Sequence, residues 1–237
     1  LTIFFFIALA GVLSPWLAPF NPTTHDLAHK LQGPTTAHIL GTDGNGADVL
    51  SQILYGARLS LTVAFLVVTI TAASGLVIGA LAGYFGGVAD LVFLRTIEVL
   101  YAFPGFLLAL TIIAFMGSSL SNVVIALCLT GWTSYARVVR AEVMKLKQED
   151  FVVAAKAMGA SPVRVIFRHI VPHVLPVLKV QMVFGAAAAV ISEAGLSFLG
   201  LGTPSDMSSW GSLLMMGRSY IFEAPHICLF ASLIIMA

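Results

Sequence analysis

The sequence predicts an all-α polytopic membrane protein with six transmembrane helices, and three observations predict it. Of 237 residues, 59% are hydrophobic and only 10% are charged, with a mean hydropathy of +0.98. A soluble domain carries roughly 25% charged residues, so lipid must be the solvent for much of this chain. Apolar runs recur at lengths near the 20 or so residues that a helix needs to cross a bilayer. The few basic residues are gathered in one stretch.

The first run, 1–18, has no charge and ends in Pro-Trp-Leu-Ala-Pro. A secretory signal would have a basic leader and a shorter apolar core. With no initiator Met, the chain is expected to start inside this first helix. Further spans are expected at 59–84, 91–116, 120–135 and 174–199. The last run, 224–237, is too short to cross and is expected to be a clipped sixth helix.

Orientation follows from Lys and Arg. Arg137, Arg140, Lys145, Lys147, Lys156, Arg164 and Arg168 lie between the fourth and fifth spans, so 136–173 is expected to be cytoplasmic. The 84–90 turn, next to Arg95, falls on the same side. Segments 19–58 and 200–222 fall outside with only Lys30, Arg58 and Arg218. Lys179 sits within a span, near its inner end, where it can snorkel. Both termini are expected in the cytoplasm of a multi-pass protein. Residues 21–46, rich in Pro, Thr, Gly and His, read as an irregular external excursion. Val49, Leu50, Ile53, Leu54 and Ala57 then recur at helical spacing, an interfacial helix feeding the second span.

The 136–173 segment carries the most information. Glu149 and Asp150 place acid at the start of a short helix, and Ala154, Ala155 and Ala157 favour it with little bulk. Gly159 ends it in a left-handed cap. Ala160 follows, then Ser161-Pro162 restarts a helix as cap and first-turn proline. Val163, Ile166, Phe167 and Ile170 are expected to form an apolar face, and Pro172 to close the unit. The product is a rigid cytoplasmic knob with small residues that admit a partner surface; a solvated connector is the alternative from physics alone.

This segment resembles the Glu-Ala-Ala loop of binding-protein-dependent ABC importer permeases. Ala154-Ala155, Gly159 and Pro172 match in type and spacing, whereas Val153, His169 and Val171 replace the Glu, Ile and Leu of that pattern. Other stretches resemble the peptide and nickel branch of the family. They are Gly41-Thr42-Asp43 with Asp48, Gly56 to Leu61, Gly83-Tyr84-Phe85-Gly86-Gly87 with Asp90, Arg95 and Pro104, Glu193 to Gly202, and Trp210-Gly211. Ala47 stands where that branch usually has Arg.

The resemblance covers the whole chain and implies a type I ABC importer permease, a single domain over 1–237 in the bacterial or archaeal inner membrane. It implies a homologous second permease subunit, two cytoplasmic ATPase subunits that seat Ala154, Ala155, Ala157, Gly159, Ala160, Ser161 and Pro162, an external solute-binding protein, and the lipid membrane. The expected solutes are di- or oligopeptides. A nickel or metal-chelate importer of the same branch is the alternative.

Intramembrane polar residues remain to be read. Glu193 is costly in a span: it is either a pore residue favouring a cation or ammonium group, or a structural carboxylate bonded to a neighbouring helix. Arg95 and Glu98 sit at i and i+3 and can pair. Gly86, Gly87 and Asp90 are expected to shape a turn or gate.

No metal site is expected. His25, His29 and His38 lack ligand spacing, Met182, Met207, Met215 and Met216 read as packing, and Asp43-Gly44-Asn45-Gly46 reads as a turn rather than a calcium loop. No phosphate-binding loop, metalloprotease or nucleophile-elbow motif occurs. The chain is therefore expected to be no enzyme, with no cofactor of its own and no nucleic-acid partner, and with ATP and Mg held on the partner ATPases. A secondary transporter or channel would call for inverted repeats or broken midplane helices, neither visible in the sequence. A membrane-embedded enzyme would need buried Ser/His or His/Asp pairs, also not visible.

Overall fold

The structure, a computed structural model, describes residues 9–202 and 207–236. Among these the chain is helical apart from turns, one 3-10 turn at Leu27–His29 and an isolated bridge between Thr42 and Asp48. Residues 9–12 are helical, followed by α1, Ser14–Leu17. The remainder of the expected first span lies outside the described residues.

The interfacial helix and the second span form one helix, α2, Val49–Phe85. At 1.5 Å per residue its 37 residues reach about 55 Å, well beyond a hydrocarbon core of about 30 Å. Gly86 (φ 66°) and Gly87 (φ 53°) then turn the chain in a conformation that a side chain would strain. Next comes α3, Gly87–Tyr101.

The third span is not one rod. Between α3 and α4, Gly105–Met116, the axis bends by 79°. Pro104 has no N–H for the helix ladder and drives Phe103 away from helical geometry. The sequence reading finds no broken span, and here it is corrected.

The fourth expected span ends at 135, yet α5, Leu120–Leu146, runs on through the basic residues. Hydropathy marks where lipid ends, and Arg and Lys are good helix formers. The segment expected to be cytoplasmic is accordingly less loop than its sequence suggests. It holds α6, Asp150–Ala157, and then α7, Pro162–Phe198.

Pro172 does not close a unit, because α7 passes straight through it. Residues Val165–Ile170 widen into a π turn, with Val171 N–H bonded to Ile166 O. That widened register absorbs the missing donor of the proline that follows. Two shorter helices complete the chain: α8, Trp210–Ser219, set in what reads as an external loop, and α9, Pro225–Met236. Three described helices (α2, α5 and α7) are long and apolar enough to cross a membrane, four if the bent α3–α4 pair counts as one.

The chain divides into two compact units. One comprises Leu1–Phe65, Leu110–Ile125 and Ala188–Ala237, and the other Leu66–Ala109 and Ala126–Ala187. In the first, Val49, Ile53, Leu213, Ala224, Ile227 and Ala231 make a core against which Leu31 and Leu40 pack. Asp48 caps α2, its Oδ2 accepting from Ser51 N–H and Ser51 Oγ at 2.8 Å.

In the second unit, a core runs from Ala72 and Ala80 through Tyr135, Val139 and Val143 to Val152, Val165 and Ile170. Close approach of α2 and α5 makes it possible. Gly75, Gly79 and Gly83 recur every fourth residue on α2 and face the α5 backbone. A Cβ at Gly75 would lie 2.9 Å from Ala136 N, one at Gly83 2.8 Å from Arg140 O, and one at Gly79 would collide with Ala136 O. This is a small-residue stripe of the kind that lets membrane helices touch.

Candidate functional site

The knob forms as its residues require. Helix α6 ends in a Schellman turn: Gly159 N–H bonds Lys156 O at 2.9 Å, and Ala160 N–H bonds Ala155 O at 3.1 Å. Gly159 has φ +81°. Ser161 Oγ accepts from Arg164 N–H at 3.4 Å, with Pro162 in the first turn of α7.

Val152 and Ala155 are buried in the second unit's core. His173 stacks on Phe151 with centroids 5.0 Å apart, and Lys156 Nζ lies 5.1 Å from the Tyr84 ring. Lys147 Nζ donates to Gly83 O at 3.0 Å, capping the end of α2. The knob is therefore fixed to α2, α5 and α7 of its own unit rather than hanging from a linker.

Its outer face carries Ala154, Ala157, Gly159, Ser161 and Pro162, all exposed. Ala155 is buried and Ala160 half-buried, so these two shape the knob from within. The apolar face expected of Val163, Ile166, Phe167 and Ile170 is split by the π turn. Ile166 and Ile170 are buried with Val165, while Val163 and Phe167 are 64% and 63% exposed. Met158, 82% exposed, is a third uncovered apolar side chain on this segment, which also carries the exposed Lys156, Arg164 and Arg168.

Near the same end of the helices, Arg95 Nη1 donates to Glu98 Oε2 at 2.7 Å on the exposed side of α3, the i, i+3 pair that the spacing suggests. Asp90 is more than a turn residue. Arg140 grips both its oxygens, through Nε and through Nη2 at 2.7 Å, and lies 5.9 Å from the Phe93 ring. With 50 positions between them, no sequence spacing links the two.

Glu193 has no exposed surface. Its two oxygens accept from Ser60 Oγ and Ser197 Oγ, each at 2.7 Å. Trp210 lies on the same unit, its indole N–H donating to Ile53 O at 3.0 Å and its ring filling the space beside Gly56. Gly211 meets α7 at Ala194 O so closely that no Cβ fits. Through the Ser60 bond Glu193 joins α2 to α7. Glu193→Gln keeps an acceptor for one serine, while the other hydroxyl rotates to accept. It is expected to leave the ratio of cationic to neutral solute uptake unchanged and to cost about 1 kcal/mol of stability. A selective loss of cationic solute would instead place the carboxylate in the pathway.

In the segment expected to be external, His29 and His38 face Asp26 (2.7 Å) and Asp48 (3.0 Å) rather than each other. Asp43 is used up by its turn and by α2, accepting from Asn45 N–H, Ala47 N–H and Gln52 Nε2. Met207, Met215 and Met216 line a 630 Å³ cavity together with His25, and Met182 packs on the other unit's core.

Comparison with known proteins places these features in a family. Residues 75–237 match the model of the binding-protein-dependent transport system inner membrane component. A dipeptide transport system permease protein of Alkalihalophilus pseudofirmus is 39% identical over 96% of this chain and 75% of its own length. A putative peptide transport system permease protein of Brucella suis is 40% identical over 99% of this chain and 79% of its own. For a glutathione transport system permease protein of Pectobacterium atrosepticum the figures are 38%, 97% and 78%.

Proposed function

This chain belongs to the family of binding-protein-dependent transport system inner membrane components, and from that membership we propose that it is one half of the translocation pathway of an ATP-driven peptide importer. The relatives named for dipeptide, peptide and glutathione transport, similar over nearly the whole chain, support the solute class. A second, homologous permease subunit completes the pathway. An external solute-binding protein delivers peptide, and two cytoplasmic ATPases, holding ATP and Mg, drive the cycle. No catalytic step falls to this chain. Its termini face the cytoplasm, as the gathering of Lys and Arg in 136–173 argues.

The observation that carries the coupling role is the knob around Gly159, whose exposed Met158, Val163 and Phe167 stand on a segment locked into the second unit's core by Val152, Val165 and Ile170. When the ATPases close, a lever so anchored moves with α5 and α7 as a rigid body. Ala157 on the exposed face and Ala155 on the buried one separate contact from support. A cysteine introduced by Ala157→Cys is expected to cross-link to a co-expressed ATPase subunit in at least one nucleotide state, and one introduced by Ala155→Cys is not. No cross-link from position 157 in any nucleotide state would end the coupling assignment.

A further inference from the structure

A cleft of 680 Å³ opens in the second unit between α3, α5 and α7, lined by Phe93, Ile97, Tyr101, Ser134, Arg137 and Gln181 among others. That volume suits a small solute. Its walls are apolar and its charges are accounted for with one exception. Glu98, on the rim, is held by Arg95, and Arg140 is held by Asp90 through both oxygens.

Arg137 has no acid partner among the described residues. What it has is a platform: its guanidinium lies 5.2 Å from the centroid of the Tyr101 ring. Tyr101 is steadied in turn, its hydroxyl accepting from Thr133 Oγ1 at 3.3 Å. Across the cleft, Gln181 is half-buried and its amide has no partner among the described residues. A net single positive charge, held by an aromatic face with its donor fork open, lines the same cleft as that amide. Arg137 is exposed, so the fork is reachable by a solute, and it lies two positions past the expected inner end of the fourth span.

We propose that this cleft is a solute station, in which Arg137 receives the free carboxylate of the transported peptide through paired N–H donors while Gln181 bonds its backbone. The proposal rests on the peptide reading above and deepens it, adding that the permease itself recognises the peptide's C-terminal charge.

The test uses the assembled transporter, with permease pair, ATPases and binding protein, in proteoliposomes. Uptake of dialanine is compared with that of its C-terminal amide. The binding protein is the same throughout, so its own preference cancels in each variant-to-parent ratio. Losing a bidentate charged pair, Arg137→Gln is expected to cut dialanine uptake roughly tenfold or more while changing amide uptake less than about twofold. Arg137→Lys, a point charge without the fork, falls between. Equal losses for both probes, or no loss, overturn the proposal.

If the parent transporter imports neither probe, the peptide reading fails on its own account. The cleft is then read by protection. With Ser134→Cys, alkylation at position 134 is followed by mass spectrometry in vesicles of neutral lipid. Slowing by dialanine but not by its amide, abolished by Arg137→Gln, supports the station; equal rates overturn it. Adding anionic lipid supplies the other source of a negative group. Protection by that lipid matching protection by dialanine would make the cleft a headgroup site and overturn the solute assignment.

Discussion

Replacing Gly79 with Leu is expected to abolish recovery of folded protein. Its side chain would have to start where the Ala136 carbonyl oxygen already sits, and a backbone atom in the middle of α5 cannot swing aside. Overpacking a core costs about 1–3 kcal/mol when neighbours can yield. Here α2 and α5 must separate along a stripe that includes Gly75 and Gly83, so the cost should exceed about 3 kcal/mol, a large share of the roughly 5–15 kcal/mol that holds a domain together. The check is the monodisperse fraction after detergent extraction and the midpoint of thermal unfolding. Gly105→Ala serves as the matched control, because nothing lies within 4 Å of the Cβ it adds. If Gly79→Leu behaves like that control, the close approach of α2 and α5 is wrong.

The second large effect concerns the Asp90–Arg140 pair. Both side chains are about four-fifths buried, at 20% and 21% relative exposure. Asp90→Ala strands the guanidinium beside Phe93 with no anion. Breaking a fully buried pair costs about 3–5 kcal/mol. With the solvent contact remaining here, a loss of about 2–3 kcal/mol is expected. Combining Asp90→Ala with Arg140→Met removes the charge as well as its partner and should restore most of that loss, since the long apolar side chain keeps the packing. Thermal unfolding of the single and double variants measures the difference. A single variant that melts with the parent protein, or a double variant no better than the single, would show that the pair contributes nothing to stability.

How much of this was readable beforehand depends on the range of the interaction. The corner of the knob was legible residue by residue because its determinants are local, whereas the apolar face and the end assigned to Pro172 were not. A left-handed glycine, a serine cap and a first-turn proline act within four positions of one another, and Gly159, Ser161 and Pro162 stand where those rules put them. Arg95 and Glu98, one turn apart, were legible for the same reason.

Interactions between distant segments were not. Ser60 reaches Glu193 across 133 positions, and nothing in either segment points to the other. The glycine stripe on α2 left a signal that went unread, since small residues at every fourth position of an apolar helix acquire meaning only opposite a partner backbone. Helix ends were misjudged where hydropathy stood in for hydrogen bonding. Helix α5 outlasts its apolar stretch by 11 residues, and Pro172 sits inside α7. Pro104, by contrast, does break its helix. Pro172 follows a widened turn, Pro176 lies within the α ladder beyond it, and Pro104 marks the bend between α3 and α4.

That widened turn has a geometric consequence. Each residue of an α-helix advances the phase by about 100°, and a π turn takes up one residue more than the α ladder would. The compass bearing of Pro162 and Val163, relative to the apolar stripe of α7 beyond Val171, is therefore set by the six residues Val165–Ile170. Had the helix stayed in α register, Val163 and Phe167 would point elsewhere on the helix circumference than they do. The direction in which the knob faces is thus encoded in part as a matter of counting, beside contacts such as Phe151 on His173 that hold it there.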